Sequence, residues 1–207
     1  MDKSLYMFNL PPPPPPKKKP LNLYALESYE KYVEILKSKG IEVFSFDIER
    51  EKFLFDDESI DIIMINQGME HVKEVFWSLH EVSRVLKVGG HFIVGVPNLA
   101  FYIQRLLLLT GQQPSCIKNY SAHVRGYTKG DFCRLINSGF DGYTLKGFGG
   151  SGFRPFSPFL AKPLARLFPT LSEGIFFDFQ KTKNYNDNRY LKYPVEQQLE
   201  TKFYLGI

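Results

Sequence analysis

The segment 41–98 constrains the fold most, because short apolar runs alternate in it with a longer amphipathic stretch. The runs 41–47, 62–67 and 91–98 have the composition of buried strands, and apolar residues spaced three and four apart over 69–87 predict a helix. Near-continuous apolar strands that alternate with such helices indicate a parallel sheet covered on both faces. We therefore predict an α/β fold with a doubly wound, Rossmann-like and mostly parallel sheet.

Polar residues stand where three of these strands end. Asp47 ends the first run, Asn66 and Gln67 end the second, and Asn98 ends the third. In open sheets, ligands bind outside the carboxyl ends of the strands, so we expect these residues to share one edge and one site. Uncharged side chains such as those of Asn66 and Gln67 can hydrogen-bond a cofactor without adding charge.

Two short motifs carry a family resemblance. Glu70-His71-Val72 follows the second strand, and Arg84-Val-Leu-Lys-Val-Gly-Gly90 precedes the third. Their order resembles the class I S-adenosylmethionine-dependent methyltransferases, in particular the small-molecule, type 11-like branch. The resemblance implies methyl transfer to a small-molecule acceptor, with Asp47 holding the ribose of the cofactor. The cofactor-binding set that it implies is Asn22, Tyr24, Asp47, Ile48, Asn66, Gln67 and Met69.

The first motif of that family, an acid followed by three alternating glycines, is degenerate in this chain. The register places Asn22 at the acid, and Tyr24, Leu26 and Ser28 at the glycines. Side chains at these positions add strain and occupy cofactor space, so binding of S-adenosylmethionine is in question. The alternative function is a catalytically inactive methyltransferase-like protein that acts through interaction. A second interpretation of the motif is that this register is forced and the first strand is poorly formed.

The sheet is expected to be compact. Only residues 48–54 separate Asp47 from the turn that leads into the next strand. A crossover between parallel strands needs about ten to twelve residues or more. The usual third strand unit of the family is therefore predicted to be absent.

His71 and His123 are the candidate catalytic residues. His71 follows Glu70 at the start of the predicted helix, and His123 lies in the polar segment 112–127, which has the length of a lid or substrate wall. A neutral imidazole can accept a proton near pH 7. Structural roles remain open for both: shaping the loop is favoured for the Glu70–His71 pair, and ordering the lid is an equal alternative for His123.

The segment His123-Val-Arg125-Gly-Tyr127-Thr resembles the H-x-R-x-Y-T motif that follows strand five in the family. A helix is predicted after it, over 129–138. We expect Asn98, Arg125 and Tyr127 to contact the substrate.

Composition narrows the protein class. The 207 residues are 43% hydrophobic, enough for one core, and the net charge of +4 forms no basic stripe, which argues against a nucleic-acid partner. No metal site is expected, because Cys116 and Cys133 lack metal-ligand spacing, and two cysteines fit a reducing cytoplasm. With neither a signal peptide nor a membrane-spanning stretch in view, we predict a cytoplasmic protein of undetermined oligomeric state.

We divide the chain into three parts. A Pro/Lys-rich leader at 1–20 is expected to be disordered, with a docking peptide as the less favoured reading. The methyltransferase-like domain spans 21–182, and a tail at 183–207 is a candidate to wrap around it.

The last third of the domain is less regular. We predict a strand at 143–148, a flexible joint at 149–152 and a returning edge strand at 175–180. Between them, the insertion 153–171 combines four phenylalanines with lysine, arginine and four prolines. We favour an insertion that covers the pocket over one that lies on a membrane surface, because the prolines divide it into short pieces.

Overall fold

The computed structural model describes residues 22–27 and 29–199. They belong to two compact units, with the boundary between Phe46 and Asp47. The predicted leader at 1–20, Ser28 and the end of the tail at 200–207 lie outside the described residues.

The first unit contains a parallel pair of short strands joined by a helix. Strand β1 (Tyr24–Leu26) pairs with β2 (Glu42–Phe44), and helix α1 (Glu30–Ser38) connects them. The helix ends before Gly40, whose φ of 75° lies in the left-handed region that glycine enters at little cost. The unit is therefore a small βαβ element.

The second unit is built on a four-stranded sheet. Its strands are β3 (Ile60–Asn66), β4 (Leu86–Pro97), β5 (Tyr143–Ser151) and β6 (Gly174–Lys181), in the order β3-β4-β6-β5. Strands β3 and β4 are parallel, and β6 is antiparallel to both of its neighbours, so three of the four strands run in one direction. The predicted mostly parallel α/β class is confirmed.

The segment between the strands β2 and β3 is short and irregular. Residues 45–59 contain neither a strand nor a helix. This agrees with the predicted loss of the third strand unit.

Strand β6 is not the predicted edge strand, because it lies inside the sheet and β5 forms the edge. Its alternate residues Ile175, Phe177 and Phe179 are at most 1% exposed, as a strand with neighbours on both sides allows. The flexible joint expected at 149–152 is also wrong, since residues 149–151 belong to β5. A side-chain carbon at Gly150 would lie 2.8 Å from the Pro169 backbone, so this glycine serves a close approach.

Five α-helices accompany this sheet in the described part of the second unit. They are α2 (Val75–Val85), α3 (Tyr102–Leu109), α4 (Lys129–Ile136), α5 (Pro158–Leu167) and α6 (Arg189–Glu196). Helix α2 is shorter than the predicted 69–87, because residues 69–74 form a separate turn and Leu86 already begins β4. Helix α4 is within two residues of its predicted span.

The described part of the tail belongs to the second unit. Helix α6 packs on α2, with the rings of Tyr193 and Phe76 5.8 Å apart. Tyr190 is fully buried, and its hydroxyl donates a hydrogen bond to the Ile136 carbonyl. This half of the tail thus contributes to the core.

The segment 153–171 does not form the expected cover. Phe153 is 7% exposed and stacks on Tyr102 of α3, but Phe156, Phe159 and Phe168 are 45%, 85% and 51% exposed. Most of its phenylalanine rings therefore lack the burial that a pocket cover requires. In the described part of the chain, no helix is both long and apolar enough to cross a membrane.

Arg84 has a structural role at the end of helix α2. Its guanidinium contacts the buried carboxylate of Glu81 at 2.6 Å and the exposed carboxylate of Asp57 at 2.7 Å. It also donates to the carbonyls of Phe53 and Phe55. Arg84 thus ties the irregular segment before β3 to helix α2.

Candidate functional site

At the carboxyl end of β3, the exposed side-chain amide of Asn66 lies against the backbone of a glycine in β4. Asn66, the last residue of β3, pairs with Gly95 of β4. A side-chain carbon at Gly95 would lie 2.3 Å from Asn66 Oδ1 and 2.7 Å from the Phe176 ring. Gly95 therefore provides the space in which the Asn66 amide lies. The signal in the sequence is a glycine inside a strand pattern, which marks a close approach.

Gln67 turns the chain sharply after this strand. Its φ is 53°, and its N–H donates a 2.8 Å hydrogen bond to the Gly95 carbonyl. A left-handed conformation costs a residue with a side chain about 1 kcal/mol or more. The side chain of Gln67 is exposed, whereas that of Met69 is 1% exposed within the core. Gln67 is thus accessible to a cofactor and the Met69 side chain is not.

The residues 122–127, which we call the carbonyl clamp, hold the turn 69–73 through its backbone carbonyls. The N–H groups of Val124 and Arg125 donate to the Glu70 carbonyl at 2.9 and 3.2 Å. The Arg125 guanidinium donates to the carbonyls of Val72 and Lys73 at 3.2 and 2.7 Å. Arg125, predicted to contact substrate, therefore directs Nε and Nη2 of its guanidinium to the protein itself.

Tyr127 completes the carbonyl clamp. It is 3% exposed, and its hydroxyl donates to the Met69 carbonyl at 3.1 Å. Burial raises the pKa of Tyr127, so the phenol stays protonated. Tyr127, predicted to contact substrate, therefore belongs to the core and not to an exposed lid.

Asn98 has a similar structural position. It is 2% exposed, and its amide donates to the carbonyls of Thr170 and Ser172 at 2.9 and 2.7 Å. Its Oδ1 accepts a hydrogen bond from the Ala100 N–H. Both amide hydrogens are thus used within the protein, which leaves no donor for the substrate contact predicted from the sequence.

Asp47 lies on a turn that is hydrogen-bonded to residues 73 and 74, in the segment that follows the carboxyl end of β3. Its Oδ1 accepts a 2.9 Å hydrogen bond from the Glu49 N–H. The Glu49 carboxylate in turn accepts from the N–H groups of Lys73 and Glu74, at 2.7 and 2.9 Å, just before α2. Asp47 is exposed, whereas the adjacent Ile48 is half-buried against the core. Glu49, which orders this junction, was missed by the sequence interpretation.

The first unit corrects the register of the glycine motif. Tyr24 and Leu26 lie within strand β1 and pair with β2, so they do not occupy a turn. Asn22 precedes the strand and is exposed. In the described residues of this unit, Gly40 alone has a positive φ. Aromatic and aliphatic side chains favour the strand here, and α1 begins at Glu30.

The two candidate catalytic histidines come together with Glu70. The rings of His71 and His123 are 4.7 Å apart in an edge-on arrangement. His71 Nδ1 is 3.1 Å from the Ala122 carbonyl oxygen, and His123 Nδ1 is 2.7 Å from that of Cys116. Glu70 is 1% exposed, and neither of its carboxylate oxygens has a hydrogen-bond partner among the residues that the structure describes. We call these three residues the Glu70–His71–His123 cluster.

The fold and the N-terminal part of the sequence agree with those of known methyltransferases. A family model described as a methyltransferase domain matches residues 16–94. An S-adenosylmethionine-dependent methyltransferase from Thermotoga maritima aligns with a TM-score of 0.53 at 17% identity, covering 77% of this chain and 73% of that one. One from Mesorhizobium loti aligns with a TM-score of 0.52 at 14% identity, covering 77% and 81%.

A curated relative is also similar in sequence. It is the uncharacterized protein YafE of Escherichia coli (strain K12), 31% identical over 93 residues. The match covers 42% of this chain and 41% of YafE, so the chain spans about two fifths of that protein's length. Together these findings confirm the resemblance to the class I S-adenosylmethionine-dependent methyltransferases, and the fold is the Rossmann-like fold of that class.

Proposed function

We propose that this protein transfers a methyl group from S-adenosylmethionine to a small-molecule acceptor. The observation that carries the proposal is the end of β3, where Asn66 lies exposed over the bare backbone of Gly95 and Gln67 holds a left-handed turn. Strained backbone and exposed amides at the ligand edge of an α/β sheet are typical of binding sites. The match to the methyltransferase domain model includes β3 and most of β4.

The residues at this edge fit the cofactor in part. Asp47 is exposed and offers a carboxylate to the ribose hydroxyls, and the amides of Asn66 and Gln67 are exposed for hydrogen bonds to its polar groups. When bound, S-adenosylmethionine supplies an electrophilic methyl group. The first motif of the family is the poorer match, because the sequence has no glycine between Tyr24 and Glu30, where a glycine turn would follow the first strand. We therefore expect weak binding that depends on Asp47.

Methyl transfer asks the protein mainly for in-line positioning of acceptor and donor. A protein nucleophile is not needed for this reaction. His71 and His123 add reactive atoms at this edge, since Nδ1 of each ring faces a carbonyl and no described residue bonds Nε2. Those nitrogens can bind a proton or a metal ion, but not both.

A non-catalytic protein that acts through interaction is the second candidate function. The observation that favours it is the same strand β1, in which Tyr24 and Leu26 are 44% and 43% exposed. A methyltransferase-like protein that no longer binds the cofactor is expected to keep the fold and to lose the glycine turn.

Calorimetric titration with S-adenosylmethionine separates the two candidates. For the enzyme we expect saturable binding with one site per chain, and a loss of affinity of about tenfold or more in Asp47→Ala, because the ribose hydroxyls lose their carboxylate partner. Asp141→Ala is the matched control, since Asp141 is an exposed acid paired with Lys183 on another part of the second unit. Its affinity should equal that of the wild type.

Absence of binding up to millimolar cofactor would favour the interaction protein. Binding that survives Asp47→Ala unchanged would remove Asp47 from the cofactor site.

A further inference from the structure

The turn after β3 and the carbonyl clamp bring together three side chains with metal-ligating atoms. One ligand atom from each of Glu70, His71 and His123 lies within 4.8 Å of the other two. Glu70 and His71 are neighbours in sequence, whereas His123 comes from a segment about fifty residues further on. The hydrogen bonds of the clamp hold the two segments in contact.

The buried Glu70 carboxylate lacks a hydrogen-bond donor among the described residues. It is 1% exposed, and no described residue donates a hydrogen bond to either oxygen. The nearby cation Arg125 directs its guanidinium to the carbonyls of Val72 and Lys73. Burial of an ionised carboxylate without a partner is costly, so such a group requires an explanation. A cation bound beside Glu70 would provide one.

Both imidazoles have Nδ1 at hydrogen-bond distance from a backbone carbonyl. A carbonyl oxygen can only accept, so the Nδ1 atoms that face the carbonyls of Ala122 and Cys116 must carry the hydrogens. This sets the tautomer of both neutral rings and leaves a lone pair on each Nε2. A backbone carbonyl that orients a ring through Nδ1–H is the usual second-layer support of a metal-binding histidine.

We propose that the Glu70–His71–His123 cluster binds a divalent transition-metal ion such as Zn²⁺. Two imidazoles and one carboxylate suit Zn²⁺ and its first-row neighbours, whereas Mg²⁺ and Ca²⁺ prefer sites made of oxygen ligands. The exposed His71 ring and the half-exposed His123 ring give the ion access from solvent. Three protein ligands leave coordination positions open for water or an acceptor oxygen or nitrogen. This departs from the expectation, drawn from the cysteine spacing, that the chain has no metal site.

A metal ion here changes the role of the two histidines. As ligands they no longer act as general bases, and the ion instead lowers the pKa of a group bound at an open position. That use in catalysis rests on the proposed function, whereas metal binding itself does not. The competing explanation is that the histidines only fasten the carbonyl clamp through Nδ1, which leaves the unpartnered Glu70 unexplained.

The test is a calorimetric titration of untagged, chelator-treated protein with Zn²⁺ in the absence of cofactor. We expect one ion per chain with a dissociation constant of micromolar or below, and a loss of affinity of about tenfold or more in His71→Ala and in His123→Ala. Co²⁺ should give a visible absorption spectrum that both variants lose. His91→Ala is the matched control, because His91 is half-buried and paired with Asp178 outside the cluster, and it should bind Zn²⁺ as the wild type does.

Absence of stoichiometric Zn²⁺ binding by the wild type would overturn the proposal, as would equal affinity in the wild type and both histidine variants. Glu70→Gln should weaken binding too. Because Glu70 is buried, circular dichroism must accompany that variant, and the two histidine variants decide the result if it fails to fold. Zinc binding without cofactor binding would leave the metal site in place and remove the proposed methyl transfer.

Discussion

The turn 67–74 and the segment 153–171 both carry apolar side chains near the predicted site, but they are stabilised in different ways. In the turn, Met69 and Val72 are at most 3% exposed, and the carbonyl clamp satisfies the backbone. In the segment, Phe159 and Leu167 are 85% and 71% exposed. The turn is part of the core, and the segment is largely a surface element.

The difference shows that apolar composition does not by itself decide burial. A buried turn must find hydrogen-bond partners for its carbonyls, and residues 122–127 supply them. In the segment 153–171, helix α5 bonds much of the backbone internally, and distant side chains donate to the carbonyls of Arg154 and Thr170. The turn contains no helix, so it depends more heavily on donors that are distant in sequence.

The largest expected difference concerns Tyr127 and Phe159. Tyr127→Ala should lower the free energy of unfolding by about 3–5 kcal/mol, because it removes a buried ring and the donor to the Met69 carbonyl. Phe159→Ala should change it by roughly 0.5 kcal/mol or less. Urea denaturation measures both. A strongly destabilised Phe159→Ala would show that the segment is buried in solution, and it would contradict the assignment of 153–171 as a surface element.

Two glycines provide the next test. Gly95→Ala should cost about 1–3 kcal/mol, because its new methyl group collides with Asn66 Oδ1 and the Phe176 ring. Gly149→Ala in edge strand β5 meets nothing within 4 Å and should be nearly neutral or slightly stabilising. Thermal denaturation of the pair gives the difference. Equal melting temperatures would mean that the Asn66 amide does not lie over Gly95.

The smallest effect is expected from two arginines. Arg125→Met keeps the apolar stem but removes the donors to the carbonyls of Val72 and Lys73, at a cost of about 1–2 kcal/mol. Arg166→Met, at an exposed position near the end of α5, should be close to neutral. Chemical denaturation compares them. A neutral Arg125→Met would show that backbone N–H groups alone are sufficient to hold the turn.

Local pattern in the sequence determined much of the fold. The α/β class, the absent third strand unit and helix α4 all follow from periodicity and segment length. Each of these depends on residues close together in the chain, so one sequence contains the information. The polar end of β3 could be predicted for the same reason, since a side chain that follows a parallel strand lies at the ligand edge.

Tertiary structure alone decided which polar groups remain free. The sequence predicts substrate contacts for three side chains that instead donate hydrogen bonds to backbone carbonyls: Asn98, Arg125 and Tyr127. The accepting carbonyls lie in distant segments, which the sequence motifs around the three donors do not reveal. The insertion of β6 between β4 and β5 likewise depends on pairing between distant segments. The proximity of Glu70 and His123 also depends on contact between distant segments. Hydrogen bonds and burial arise from contacts across the fold, whereas the sequence pattern reports only the local preference of each segment.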